Sequence, residues 1–374
     1  MRILHLAYED PRQPGAGGGS VRTLEINRRL AQRHQVTAVV AGYPGARPRL
    51  EAGVRWLPVG TQVGNKLDQL SYFAALAPVI LSTPHDLLIE DFGAPFSVGL
   101  APLYTRRPLI ASVQWLFASE MREKYKFPFD LVERRGLTLY DNFIAVSDWL
   151  GREISARRPG SAVQVIPNGI PPEAFEVPAQ PPEHFLFVGR LDLRHKGGDL
   201  LIESFARVRE QLGPATPPLL IVGDGADRGA MEQLARQRGL EEHVQFRGRV
   251  EGAAKFDLMA RAHAVLMPSR FETFGMVAVE AQAAGVPLVT FDVGPLREVA
   301  GPGGALLIAP FDPQAFAQAA AGVVCNPARR EWLAAQGRLW ARHYDWDLLA
   351  QQQEAAYVAA LARPRRTRRI GAYR

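Results

Sequence analysis

RFETFGMVAVE, Arg270 to Glu280, follows an apolar run at Ala264 to Met267 that reads as a strand. Its apolar residues Phe274, Met276, Val277 and Val279, with Ala281 beyond, fit a buried helix whose first turn sits near Phe274. A helix start leaves amide N–H groups free. An anionic phosphate or a polarised sugar hydroxyl is favoured there by hydrogen bonding and by the helix dipole. Glu272, just ahead of the helix, can accept hydrogen bonds from sugar hydroxyls. Glu280, two turns on, lies near the same face and suits a ribose diol. A buried helix flanked by two solvated acids fits the same residues, so this stretch needs its neighbours.

Upstream, Phe185 to Val188 reads as a strand and Asp199 to Leu212 as a helix, joined by GRLDLRHKG, Gly189 to Gly197. Arg190 and Lys196 are close enough in sequence to converge on one diphosphate, the first as a planar fork and the second as a mobile point charge. A solvated basic loop is the alternative. Strand candidates follow at Pro218 to Val222, Val244 to Phe246, Pro287 to Phe291 and Ala305 to Ile308, with helices at Gly229 to Arg238 and Lys255 to Ala262. Gly223 to Gly225 (GDG) marks another strand-to-helix turn. Gly248 to Val250 (GRV) leaves a strand where main-chain groups can meet a base.

The N-terminal part has the same rhythm. Arg2 to Tyr8 and Gln35 to Ala41 read as strands around a helical pattern at Leu24, Ile26, Leu30 and Ala31, a βαβ unit that implies a parallel sheet. Between strand and helix lies PGAGGGS, Pro14 to Ser20, whose glycines allow a ligand close to the backbone at a helix start. A dinucleotide site would want an acidic residue after the second strand, but that strand runs into Ala41, Gly42 and Tyr43. A plain flexible loop fits as well. Val54 to Val59, Asp86 to Glu90, Pro108 to Val113, Asn142 to Val146 and Val163 to Ile166 are further strands, with helices at Leu67 to Leu81 and Phe129 to Leu139. Residues 1–170 therefore read as one doubly wound domain and 183–346 as a second. The proline-rich stretch 171–182 reads as the linker. Helical patterns close the chain at Pro313 to Val324, Arg329 to Tyr344 and Asp347 to Ala362, ahead of a tail at 363–374 with six arginines.

A length of 374 residues exceeds what one core usually organises, and 47% apolar with 22% charged residues is a globular composition. Met1 to Ala7 runs straight into a strand pattern rather than a signal peptide, and no apolar run of about 18 residues occurs. Cys325 is the only cysteine, which excludes an internal disulfide and a cysteine-based metal cluster. A cytoplasmic location is the default expectation. The net charge of +6 suits phosphate-bearing ligands, acidic membranes or nucleic acid. Met121 to Phe129, MREKYKFPF, interleaves basic and aromatic residues in a form suited to an anionic bilayer, as a peripheral contact, or to an acceptor loop. Nucleic acid has no specific support, because the aromatics follow no basic sheet face.

In this order and spacing the motifs resemble the retaining GT-B glycosyltransferases of family 4, also called glycosyl transferases group 1. The matching residues are Gly17 and Gly18, Ile166 to Ile170 (IPNGI), Gly189 to Gly197, Ile221 to Gly225, Phe246 to Val250 and Glu272 to Glu280. The resemblance spans nearly the whole chain. It implies an α/β GT-B fold, two Rossmann-like doubly wound domains facing a central cleft, with helix 347–362 crossing back to the first domain. It implies a nucleotide-diphosphate sugar as donor, most commonly UDP-linked and next GDP-linked, and a hydroxyl acceptor on a glycan, lipid or small molecule. Arg190 and Lys196 would hold the diphosphate and Glu272 the donor sugar. Phe274, Gly275 and Met276 would supply amides, Glu280 the ribose contact and Val250 a main-chain contact to the base, with Gly17 and Gly18 also donor-binding. The family often carries a histidine where this chain has Gln114, and a glutamine amide is no base near neutral pH. Asp91 and Glu90 are the nearest acids that could take over its role. The retaining route proposed for the family has the departing diphosphate help deprotonate the acceptor, without a cofactor or a metal. A sugar-nucleotide epimerase of the same fold, or a non-catalytic sugar-nucleotide binder, would share the donor motifs.

Overall fold

The computed structural model describes residues 1–13, 16–63, 66–93, 97, 99–116, 118, 122 and 128–363. Most of the basic-aromatic stretch 121–129 and the arginine tail 364–374 lie outside the described residues. The chain divides into two compact units, Met1–Pro167 with Trp346–Arg374, and Asn168–Asp345.

The first unit is built on β1 (Arg2–Tyr8), β2 (Gln35–Ala41), β3 (Arg49–Glu51), β4 (Val54–Val59), β5 (Leu87–Phe92), β6 (Leu109–Val113), β7 (Asn142–Ala145) and β8 (Ala162–Val165). They form one sheet in the order β3-β4-β2-β1-β5-β6-β7-β8. Only β3, an edge strand absent from the sequence reading, pairs antiparallel, with β4. Central strands such as β1 are buried on both faces, as expected when helices cover a parallel sheet. A helix at Asp148–Arg157 also escaped the sequence reading. Its start is conventional, since Ser147 Oγ accepts from Leu150 N at 3.2 Å.

Helix Trp346–Ala362 joins this unit from the far end of the chain. It buries Trp346, Leu349, Ala350 and Tyr357 into the core that contains Ile3, Trp56 and Ile89. Each fully buried large side chain contributes roughly 1.5–3 kcal/mol. Against helix Gly18–Leu30, Arg22 is buried and donates to Gln353 Oε1 and to Pro167 O, both at 2.6 Å. Burial pushes the Arg22 guanidinium down to about 10. Asp347 pairs with Arg29, and Glu354 with Arg33 and His34.

The second unit carries β9 (His184–Val188), β10 (Leu219–Val222), β11 (Val244–Gly248), β12 (Ala262–Met267), β13 (Leu288–Phe291) and β14 (Ala305–Ile308), in the order β11-β10-β9-β12-β13-β14. Phe185, Phe187, Phe205, Phe291 and Phe316 fill its core. β12 begins at Ala262, so the expected helix over 255–262 lies instead at Gly252–Ala260. Pairing with β9, at Ala262↔His184 and Ala264↔Phe185, takes those residues from the helix. The stretch 171–182, read as a linker, falls inside this unit. Ile170 N donates to Tyr344 O at 3.0 Å, Ala174 is fully buried in a short turn Pro172–Ala174, and Val177 O accepts from Arg338 at 2.9 Å. Proline-rich chain cannot join a sheet interior, but it packs well along a surface.

Each unit has a topological switch point, where the strands on either side of a central pair are reached in opposite directions. It lies between β1 and β5 in the first unit and between β9 and β12 in the second. Loops leaving the carboxyl ends of those strands are where a parallel sheet binds ligands.

Candidate functional site

At the switch point of the second unit, the loops after β9 and β12 are GRLDLRHKG and PSRFETFG. Asp192 organises the first. Its Oδ1 accepts from His195 N at 3.0 Å, capping the short helix Leu193–Lys196, and its Oδ2 takes His195 Nδ1 at 2.8 Å and Arg190 Nη2 at 2.9 Å. Partial burial alone would raise Asp192, but His195 and Arg190 hold it below the usual carboxylate range. Gly197 then turns left-handed, φ 66°, into helix Gly198–Leu212. A Cβ there would stand 2.1 Å from Pro268 O, so the two loops touch at a point only glycine permits.

Arg270 fastens the second loop to the first. Its backbone N donates to His195 O at 2.7 Å, and its guanidinium reaches Leu193 O at 2.7 Å and both carboxylate oxygens of Asp199 at 2.6 and 2.7 Å. Bidentate pairing of this kind fixes direction as well as distance. Asp199, which partial burial would raise, is held low by Arg270, and Asp199 raises Arg270 in turn. The sequence reading did not single out Arg270. Its signal was a cation two residues before Glu272 with an acid opening the helix after Gly197.

With the loops fastened, Lys196 Nζ stands 2.5 Å from Glu272 Oε1, which also accepts from Ser269 Oγ at 2.8 Å. Glu272 is only 7% exposed, so this carboxylate needs those partners. Arg190, by contrast, is largely exposed and leans on Asp192.

Helix Met276–Ala283 starts two residues later than expected. Gly275 takes φ 92° to begin it, and a Cβ there would meet Leu296 Cδ2 at 2.6 Å. Phe274 is buried, its ring edge-on to Tyr344 at 5.8 Å. Glu280 is buried on the helix and accepts from Lys255 Nζ at 2.8 Å. Lys255, which also lies 4.7 Å over the Phe256 ring, was not flagged from sequence. It sits on helix Gly252–Ala260, just after the half-buried Val250.

At the switch point of the first unit, Tyr8 ends β1 with φ 53°, an uncommon value for a bulky residue. Its ring is held edge-on to Tyr72 at 5.1 Å. The kink sends Glu9 back, so that Glu9 Oε2 accepts from Gly17 N at 3.4 Å, beside the start of helix Gly18–Leu30. Burial and then the charge of Asp91 push Glu9 up, against the Gly17 hydrogen bond. Asp91, on β5, accepts from Thr23 Oγ1 at 3.0 Å and meets His5 Nε2 at 3.1 Å. The other His5 nitrogen faces Asn27. Burial opposes charge on His5, yet Asp91 leaves it raised. Gln114 and Asp91 thus line one pocket with Glu9, Gly19, Ser112 and Trp115, of about 350 Å³ counted with the solvent at its mouth. Glu90 is turned the other way. It is buried, accepts from Ser97 and Tyr140, and is pushed up to about 7 by burial. Glu9 escaped the sequence reading, although an acid directly after a strand and ahead of a glycine-rich loop was its signal.

Two family models match the chain in succession, "Glycosyltransferase Family 4" over residues 16–174 and "Glycosyl transferases group 1" over 173–340. A phosphatidyl-myo-inositol mannosyltransferase of Mycobacterium leprae is 36% identical over 223 residues, 57% of this chain and 58% of that protein. That match and those to mycobacterial glycogen synthases therefore span only a little over half of those relatives' lengths. A D-inositol 3-phosphate glycosyltransferase of Xylanimonas cellulosilytica is 28% identical over 94% of both chains. Among solved structures, a sucrose-phosphate synthase from Thermosynechococcus elongatus superposes with a TM-score of 0.80 at 22% identity, over 96% of this chain and 99% of that one. An Anabaena HepE bound to UDP and glucose gives 0.73 at 20% identity, over 96% and 100%. These structures share the fold. From family models that together run from residue 16 to 340, and from that shared architecture, the chain belongs to the glycosyl transferases group 1, of GT-B fold.

Proposed function

We propose that the protein is a retaining, metal-independent glycosyltransferase that moves a hexose from a nucleotide-diphosphate sugar to an acceptor hydroxyl. The observation that carries this reading is the Lys196–Glu272 pair, 2.5 Å apart and only a few residues from the start of helix Met276–Ala283. A diphosphate brings negative charge to a lysine and a ring of free amides, while a carboxylate beside that lysine suits the hydroxyls of the attached sugar. Arg190, exposed and hinged on Asp192, is placed to swing onto the diphosphate as it departs. Stabilising that leaving group supplies most of the catalysis. The departing oxygen then takes the proton of the acceptor hydroxyl on the same face of the sugar, which retains configuration. Positive charge from Lys196 and Arg190 replaces a divalent cation. Glu280, held by Lys255, takes the ribose.

The acceptor side is assigned to the pocket of Asp91 and Gln114. Relatives named for mannosyl transfer and for D-inositol 3-phosphate make mannose a second candidate sugar beside glucose, and a cyclitol a candidate acceptor. Incubation of the chain with UDP- and GDP-linked glucose and mannose, followed by NMR of the released sugar, tests the reading. Slow hydrolysis with retained anomeric configuration, unchanged by EDTA, is expected. An isomerised donor would establish an epimerase, and an intact donor a binder.

A further inference from the structure

We propose that a basic pocket at the amino ends of β1, β5 and β6 is a binding site for a phosphate monoester that carries an apolar ring or chain. It is independent of the transfer reading above, since none of its residues serves there. Ligands of a parallel sheet usually bind beyond the carboxyl ends of its strands. This pocket lies at the other end of the first sheet, a strand's length from Asp91 and Gln114, or roughly 16 Å for five residues. Arg2 opens β1, Thr83 to His85 lead into β5 and Leu103 to Arg107 lead into β6. Together they line a hollow of about 1120 Å³ counted with the solvent at its mouth.

The two connecting segments are tied to each other. His85 Nδ1 donates to Thr83 O at 2.7 Å, so in the neutral ring Nε2 takes the Thr105 hydroxyl, at 3.0 Å. Thr105 Oγ1 in turn accepts from Arg107 N at 3.0 Å. His85 and Thr105 are buried, while Arg106 and Arg107 are exposed on the backbone they hold. Arg2 is already matched: its guanidinium and its backbone N hold Asp86 at 2.7 and 2.8 Å, and draw that carboxyl down to about 2. Arg106 enters no ion pair among the described residues, so its charge is available to a ligand. Carbonyls at the end of helix Lys66–Ser82 would oppose an anion, but they are partly covered. Val79 O accepts from Thr83 N at 2.9 Å and from Ser82 Oγ at 3.4 Å, and Thr83 O from His85.

A planar guanidinium receives a phosphate in a fork, and two of them match the nearly doubly negative charge of a monoester above pH 7. Beside the arginines the wall turns apolar. Leu81 is 73% and Leu103 60% exposed, and Ile80 and Tyr104 continue the same lining. Leucines left to water next to two cations suit a ligand charged at one end and hydrocarbon at the other.

Titration of the full chain at pH 7 with phenyl phosphate, inorganic phosphate and benzyl alcohol, read at the backbone amide NMR signals of Leu103 to Arg107, tests this. Phenyl phosphate is expected to shift those signals with a dissociation constant at least about tenfold below either of the other two, since it alone offers both charge and apolar area. Arg106→Gln with Arg107→Gln is expected to raise that constant at least about tenfold, with the thermal midpoint of the parent. Leu81→Ser with Leu103→Ser should bring phenyl phosphate within about threefold of inorganic phosphate. Amides that phenyl phosphate does not move overturn the proposal, as does an affinity that the double arginine variant retains or that benzyl alcohol equals. Flotation with phosphatidylcholine vesicles containing phosphatidic acid then separates two sources of the ester. Vesicle binding lost in the double arginine variant assigns a lipid, and its absence or its survival in that variant assigns a soluble ester.

Discussion

The two switch points share a topology and differ in charge. After β9 and β12, each key carboxylate has a cation: Lys196 for Glu272, Lys255 for Glu280, Arg270 for Asp199. At the ends of β1 and β5, Glu9 and Asp91 line one pocket, and among the described residues their hydrogen-bond partners are a backbone amide, a threonine and a histidine. A βα fold leaves its loop chemistry open, so the same framework serves both.

The largest expected effect breaks the cationic side. Glu272→Ala is expected to lower kcat/KM for transfer about 10²–10³-fold, the scale for loss of a preorganised polar contact, with a melting midpoint close to that of the parent. Wild-type turnover would dismiss the assignment.

The next sharpens the contrast through pH. In the first unit, burial raises Glu90 and Glu133 to about 7 from a usual value near 4.5. Between those limits the folded unit holds more protons than the unfolded chain, so its stability falls as pH rises from about 4.5 and levels off above 7. His5, raised by Asp91 against burial, adds to the loss as pH climbs through its folded value. The second unit has the opposite slope. Burial lowers His263 to about 4 and lowers His184, so stability there is gained as pH rises from about 4 toward 6.5. Calorimetry across pH 5 to 8 should move two transitions in opposite directions, by up to a few kcal/mol. Glu90→Gln should flatten the first unit's slope by up to about half, Glu133 and His5 carrying the remainder.

Arg270→Lys tests whether the loops must be fastened. Lysine keeps the charge but loses the fork, and a drop of about 10- to 30-fold in kcat/KM is expected with Lys196 and Glu272 untouched. Asp199→Asn should resemble it. Equal activity in both variants would make the clamp idle. The smallest effect falls on Lys255→Met, which should weaken nucleotide affinity about three- to tenfold by calorimetry, leaving Glu280 buried without its partner.

Periodicity exposed most of this architecture, because strands buried on both faces read as apolar runs, as at Leu219–Val222. Edge strand Arg49–Glu51 was invisible for the converse reason, being short, charged and half-exposed. At the site, recognised spacing singled out Arg190, Lys196, Glu272 and Glu280. Their partners were not. Lys255 reaches Glu280 from 25 residues away and Arg270 reaches Asp199 from 71, distances at which linear pattern carries no information. Glu9 was hidden by a backbone kink at Tyr8 that no propensity predicts.

Helix Trp346–Ala362 has a temporal consequence. Its residues complete the core around Trp56, yet they leave the ribosome after all of Asn168–Asp345. At about 5–20 residues per second, the earlier segment waits roughly ten seconds or more with Arg22 and Leu30 uncovered. Nascent chains stalled before Trp346 should therefore be open to proteolysis in their first 167 residues while the later unit is already resistant.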